Sequence, residues 1–176
     1  MKKLLFNVVS VLILSICVSS CSKKDDVNPA SKEDVAGIVW TISSVTEGIN
    51  NPSGLDAEQQ AQFTKFKNEL KRVFQQGDKY SFAEDSSCSV SRGGVIADRP
   101  TSYAVSGGYL IFDGFIKFKT NLSGDKLTLT AADAEIREIA ATELKNEIYG
   151  FDQDTIDTIL KFLSGKLELI LTQTKE

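Results

Sequence analysis

Ser102-Tyr103-Ala104-Val105-Ser106-Gly107-Gly108-Tyr109-Leu110-Ile111-Phe112-Asp113-Gly114-Phe115-Ile116-Lys117-Phe118-Lys119 is the stretch that decides the fold. It contains three short runs rich in aromatic and β-branched residues. Gly107-Gly108 and Asp113-Gly114 separate them, and such glycine-bearing pairs are the turns that reverse one strand onto the next. Downstream, Ser123-Gly124-Asp125 leads into Lys126-Leu127-Thr128-Leu129-Thr130, where apolar and polar residues alternate. Upstream, Lys79-Tyr80-Ser81-Phe82-Ala83 reads as another strand, separated from the core stretch by a polar segment running from Asp85 to Pro100. The outcome is an antiparallel meander. A meander with one apolar face per strand must bury that face, either by closing into a barrel or by taking a cover of helices.

The flanks supply both. Ile38, Trp40 and Ile42 fall on one face of a first strand, which ends at Gly48 and the Asn50-Asn51-Pro52-Ser53-Gly54 loop. From Asp56 to Gln76 the period becomes helical: Phe63, Phe66, Leu70, Val73 and Phe74 share a face, Asp56 and Gln59 form a capping pair, and Gly77 suits the position after the helix. A second apolar stripe, Ile136, Ile139, Ala140, Leu144 and Ile148, predicts a helix over 131–149. Ile156, Ile159, Leu160 and Leu163 predict a third over 154–163, stopped by Gly165. The alternating residues 166–172 predict a closing strand. The fold class is therefore mainly β with flanking helices, α+β: a meander with one helix after the first strand and a helical pair before the last.

Gly37-Ile38-Val39-Trp40, Lys79-Tyr80-Ser81-Phe82, Tyr103-Ala104-Val105 with Gly108-Tyr109-Leu110-Ile111, and Gly124-Asp125-Lys126-Leu127-Thr128-Leu129 occur in an order that resembles the lipocalin-like domains of bacterial surface lipoproteins. The resemblance spans about residues 37–130 and implies a small β-barrel of the calycin type. It implies an architecture more than an activity. The helical pair after Leu129 is longer than such barrels usually carry.

The amino terminus resembles a bacterial lipoprotein leader: Lys2 and Lys3, an apolar run from Leu4 to Val18, then Val18-Ser19-Ser20-Cys21. The run is broken by Asn7, Ser10 and Ser15 and is too short to span a bilayer, which takes about 20 apolar residues. The expected organisation is a leader, 1–20, a polar flexible tether, 21–34, and one lipocalin-like domain, 35–176. Cys21 is the expected lipid-attachment residue, and two or more acyl chains there would hold the protein stably on a membrane. Lys24-Asp25-Asp26 is similar to a short signal for display on the outer face of the outer membrane, though a solvated tether carries such charges anyway. The expected location is the cell envelope, anchored to the outer membrane.

Loss of the leader leaves 18 basic against 24 acidic residues, an excess that argues against a nucleic-acid partner. Cys17 leaves with the leader and Cys21 is acylated, so Cys88 has no partner for an intrachain disulfide. The chain contains no histidine, which removes His-based triads, imidazole bases and His metal sites. No phosphate loop, dinucleotide fingerprint or Gly-x-Ser-x-Gly elbow occurs. Asp152, Asp154 and Asp157 lack the glycine and terminal glutamate of a calcium loop, and helix-start acids explain them better. No catalytic residue, metal or cofactor is expected.

Two functional readings remain. In one, Trp40, Phe82, Tyr103, Phe112 and Phe118 line the barrel and bind a small apolar or amphipathic ligand. In the other, the interior is solid and the outer face binds an envelope protein or glycan. Asp154-Thr155-Ile156 and Asp157-Thr158-Ile159 also resemble an O-glycosylation acceptor triplet, which would make Thr155 and Thr158 modification sites, while helix capping accounts for the same acids.

Overall fold

The computed structural model describes residues 27–97 and 100–174. The leader, Cys21 and the expected tether as far as residue 26 lie outside the described residues. Nine strands form one antiparallel sheet: β1 (Val39–Glu47), β2 (Lys79–Phe82), β3 (Cys88–Arg92), β4 (Val95–Ile96), β5 (Tyr103–Ser106), β6 (Tyr109–Phe112), β7 (Ile116–Ser123), β8 (Lys126–Ala131) and β9 (Leu167–Gln173). Their spatial order is β4-β3-β2-β1-β9-β8-β7-β6-β5. The first and last strands thus pair in the middle, and the sheet curls into a half-barrel with its apolar face inward. Its two ends approach each other at one antiparallel bridge, Ser87–Ser102. There Cys88 N donates to Thr101 O (2.9 Å) and Tyr103 N to Ser86 O (3.0 Å).

The hairpins form where the glycine turns predict them, with Ser106 opposite Tyr109 and Phe112 opposite Ile116. β3 and β4 lie inside the polar segment that the sequence reads as connection. Cys88 and Val90 alternate inward there, but serines fill the outward positions and two glycines form the turn, so the apolar signal is only two residues long. β1 carries one bulge: its register with β9 shifts between Ile42 and Ser44, and the Ser43 hydroxyl donates to Ile170 O (2.9 Å).

Among the described residues three α-helices flank the sheet: α1 (Ala57–Val73), α2 (Asp133–Glu143) and α3 (Gln153–Phe162). α1 begins with the expected reciprocal cap, Gln59 N donating to Asp56 Oδ1 (2.9 Å) and Asp56 N to Gln59 Oε1 (3.0 Å). Phe63, Phe66 and Leu70 are buried as the stripe predicts. Phe74 leaves the helix with an extended backbone, and its ring enters the interior of the sheet. The helix expected to run to Tyr149 ends at Glu143, followed by a single 3-10 turn, Glu147–Tyr149. Ile148, expected on the buried stripe, is 54 % exposed because this turn breaks the period, and Gly150 at φ 68° redirects the chain into α3. After α3, Gly165 takes φ 135° where a Cβ would stand 2.6 Å from Ile49 Cα, so no larger residue fits between the helix and the end of β1.

The expected tether, 21–34, is corrected over its described part alone. Residues 28–35 are not a free linker but a strap on the sheet: Leu122 N donates to Asn28 O (2.8 Å), Asn28 N to Asn121 Oδ1 (3.0 Å) and Ala30 N to the buried Thr120 hydroxyl (2.9 Å). Ala30 and Val35 are buried. Composition concealed this, because the strap docks through its backbone and its polar side chains instead of through an apolar stripe.

Candidate functional site

Trp40, Phe82, Tyr103, Phe112 and Phe118 all lie inside the curled sheet and all are buried. Four of them, Phe82, Tyr103, Phe112 and Phe118, pack ring against ring. Phe82 meets Tyr103 at 4.9 Å between ring centroids and Phe112 at 6.0 Å, while Phe112 meets Phe118 at 6.1 Å. Phe74, delivered by the end of α1, sits among them at 5.9 Å from Phe112 and 5.3 Å from Phe118, with Tyr80 stacked beside it. The interior is a ring-to-ring core with α1 supplying its plug. One polar atom interrupts it: the buried Trp40 Nε1–H has no hydrogen-bond acceptor among the described residues.

The plug is held from outside by a polar staple. Asp78 is fully buried and accepts from Arg92 Nε and from its other guanidinium arm, both at 2.7 Å, while the same arm donates to Arg72 O at the end of α1 (2.8 Å). Asp78 also accepts from Gln75 N (3.1 Å), so one carboxylate fixes the descent from helix to β2 and ties it to β3.

Three surface clefts bear on function. One, of about 380 Å³, lies under the strap between Lys32, Glu33, Ala36 and Glu84, and Lys32 Nζ is already engaged by Glu84 O (2.7 Å). Another, of about 260 Å³, separates α2 from β6 and β7; its Lys117 pairs with Glu138 (2.7 Å), and the Tyr109 hydroxyl donates to Glu135 (3.2 Å), which also pairs with Lys119 (3.4 Å). The third, of about 300 Å³, opens where the amino termini of α1 and α3 meet. It is lined by Asp56, Glu58, Gln59, Gln62, Tyr149, Gly150, Phe151, Asp152 and Thr155.

This helix-end cleft is the candidate site. Gln59 Nε2 donates to the Thr155 hydroxyl (2.9 Å) and so locks the two helix starts together. Asp152 caps α3 by accepting from Thr155 N (2.7 Å), and the Thr155 hydroxyl and N–H together hold its carboxyl below the usual carboxylate range. The Tyr149 and Phe151 rings stack at 6.5 Å and 25°. The lining therefore combines aromatic surface with carboxylates and primary amides, and none of the nine residues is basic. Such a surface accepts hydrogen bonds from hydroxyl groups and repels anions.

No protein-family model, curated protein or solved structure matches this chain.

Among the expected modification sites, Thr155 is 7 % exposed with its oxygen engaged by Gln59, whereas Thr158 is half-buried and donates to Asp154 O of its own helix (2.9 Å). A glycan on Thr155 would require the Gln59 contact to break. Cys21 lies outside the described residues. Cys88 begins β3, buried, and burial with the nearby Asp113 charge pushes its thiol up to about 12. No group of three or more metal-ligating side chains occurs, and no helix is long and apolar enough to cross a membrane, among the described residues. Sequence reasoning missed the cleft although it found the Asp56–Gln59 cap and placed the α3 cap at Asp152 or Asp154, of which the structure uses Asp152. What it lacked was the contact between Gln59 and Thr155, 96 positions apart.

Proposed function

We propose that this chain is a lipid-anchored envelope protein that acts by binding instead of catalysis, with a solid lipocalin-like barrel as scaffold and a glycan as ligand in the helix-end cleft. The observation that carries the reading is the packing of Phe74 against Phe112 and Phe118, which fills the space a carrier would keep for cargo. Barrel closure is supported by the Ser87–Ser102 bridge and the two backbone hydrogen bonds beside it. With closure, β4 and β5 serve as one bent strand between β3 and β6, and the meander becomes an eight-stranded up-and-down barrel. Acylation at Cys21 supplies the anchor and the envelope location.

The chemistry of the cleft supports a neutral, hydroxyl-rich ligand. Gln59 and Gln62 offer amides, Asp56, Glu58 and Asp152 offer carboxylate acceptors, and Phe151 offers a partly exposed ring for the apolar face of a sugar. The test is a glycan panel probed with the acylated chain and with Phe151→Ala and Gln62→Ala. Retention of a neutral glycan by the parent chain and its loss from both variants is the expected result, and equal retention by all three rejects the cleft.

A second reading rests on the unpartnered Trp40 Nε1–H. A small apolar or amphipathic molecule bearing one acceptor would satisfy it from inside the barrel, in the carrier role. Native mass spectrometry of residues 27–176 purified from the host separates the two: a co-purifying small molecule favours the carrier, and a ligand-free mass favours the binding module.

A further inference from the structure

The curled sheet has two distinct ends, and strand register defines them. β1 starts where Trp40 lies opposite Gln173 and finishes where Glu47 lies opposite Leu167, and β8 runs from Lys126 opposite Thr172 to Ala131 opposite Leu167. At the Glu47–Leu167 end the chain leaves β1 toward α1, leaves β8 for α2 and returns from α3 into β9: Gly48 N donates to Lys166 O (2.8 Å), Asn50 N to Ser164 O (3.0 Å), and α2 starts two residues after Ala131. The middle of α1 and the end of α3 meet this end, Lys67 Nζ donating to Ile49 O (2.6 Å) and Asn50 Nδ2 to the Ser164 hydroxyl (3.2 Å), and the helix-end cleft lies at the starts of the same two helices. At the opposite end, the strap residue Asn28 lies on Asn121 and Leu122, whose partners across the sheet are Thr128 and Leu127, and Gln173 N donates to Asp125 O (2.9 Å).

The strap is held along its length. Besides the contacts of Asn28 and Ala30, the Thr120 hydroxyl donates onward to Gly108 O (3.0 Å), Lys32 Nζ to Glu84 O (2.7 Å) and Gly37 N to Phe82 O (2.7 Å). Seven residue steps separate Cys21 from Asn28, a reach of at most about 25 Å even when fully extended. A nine-residue strand such as β1 is itself about 30 Å long. A membrane anchor at Cys21 therefore confines the bilayer to the neighbourhood of the strap end, and Val27, 65 % exposed, is the described residue nearest that anchor.

We infer that the strap end of the domain, with Val27 and the 123–125 turn, is its membrane-facing surface, with lipid headgroups as the occupant, and that the docked strap sets the helix-end cleft away from the bilayer. The inference rests on the reading of Cys21 as the acylated residue. It gives the strap a mechanical role that a free tether lacks: it limits how far the domain can turn over its own anchor.

The test uses the full acylated chain in phosphatidylethanolamine–phosphatidylglycerol vesicles carrying a headgroup energy acceptor. A donor fluorophore is placed on Ser123→Cys, exposed in the turn between β7 and β8, or on Ala61→Cys, exposed on α1; the buried Cys88 does not compete for the label. The expected result is at least twofold greater transfer from position 123 than from position 61. Loosening the strap with Asn28→Ala and Thr120→Val together should reduce that contrast. Equal or reversed transfer in a chain whose mass confirms acylation overturns the orientation while leaving the anchor intact. A chain whose mass shows no acyl chains overturns the anchor reading and the orientation with it.

Discussion

The interior of the sheet and the helix-end cleft are both built on aromatic rings, yet they do opposite things with them. Inside, Phe74, Phe82, Phe112 and Phe118 pack against one another and against the rings of Tyr80 and Tyr103. In the cleft, the partly exposed Phe151 ring stacks on Tyr149, itself buried against Phe66, and the cleft around them carries two amides, three carboxylates and a threonine. Residue type alone does not separate core from site; the polarity of the second neighbours does. An aromatic ring surrounded by rings contributes burial, whereas one bordered by acceptors offers a platform that water already wets.

The largest effect that tests this contrast is on the interior. Phe112→Ala should cost about 3–5 kcal/mol, the range for removing a large aromatic from a closed core. Urea unfolding with an unchanged slope measures it. A cost under about 1 kcal/mol would mean that the interior has slack, and would break the comparison in favour of a cargo cavity. The staple beneath the plug comes next. Arg92→Met strands the buried Asp78 carboxylate and should cost about 3 kcal/mol, with much of the loss recovered in the double variant Arg92→Met/Asp78→Asn, because the penalty is the orphaned charge and not the missing arginine. At the cleft the stakes are smaller. Thr155→Val removes the acceptor of Gln59 Nε2 and should cost about 1 kcal/mol, with Thr155→Ser restoring most of it.

How much of this was legible in the sequence follows the same division. The hairpins were readable because Gly107-Gly108 and Asp113-Gly114 specify turns locally, and α1 was readable because its stripe and its Asp56–Gln59 cap lie within one segment. Even the inward residues of the sheet were identified, since alternation marks a face without saying what fills the space. That Phe74 fills it was not legible, because the residue continues the helical stripe in sequence and departs from it only in backbone conformation. β3 was hidden by its serines, and the strap by having its partners about 90 positions away. The cleft suffered most: each wall is an ordinary helix start, and only the tertiary meeting of Gln59 with Thr155 makes them one site.

A charge at the helix end sharpens the contrast further. Burial pushes the Glu47 carboxyl up, but Lys71 at 2.9 Å, the Ile49 N–H and Lys67 at 3.4 Å outweigh it and hold the group below the ordinary glutamate value of 4.5. A carboxyl depressed in the folded state adds stability that is fully present above the unfolded value and is lost as pH falls through the folded one. Stability should therefore decline below about pH 4.5 more steeply in the parent chain than in Glu47→Gln, as followed by urea midpoints across pH 3 to 7. Phe112, which takes part in none of the Glu47 contacts, should leave that pH profile unchanged when it is altered, once the overall loss is subtracted.

The smallest effect is a reactivity and needs no mutation. Cys88 starts β3 with Cys88 N bonded to Thr101 O, and its thiol is buried and pushed up to about 12 by burial and by Asp113. At pH 8 such a group carries almost no thiolate, and thiolate is the reacting species. An aromatic disulfide reagent added to residues 27–176 at pH 8 should find no fast-reacting thiol, and one equivalent after unfolding in urea. The rate in native buffer then reports how often the junction of β3 with the segment before β5 opens. If Cys88 reacts within seconds in the folded domain, the seam between the two ends of the sheet opens readily, the interior loses its claim to be closed, and the distinction between a dry core and a wetted cleft fails at the one place where the sheet is held by a single bridge.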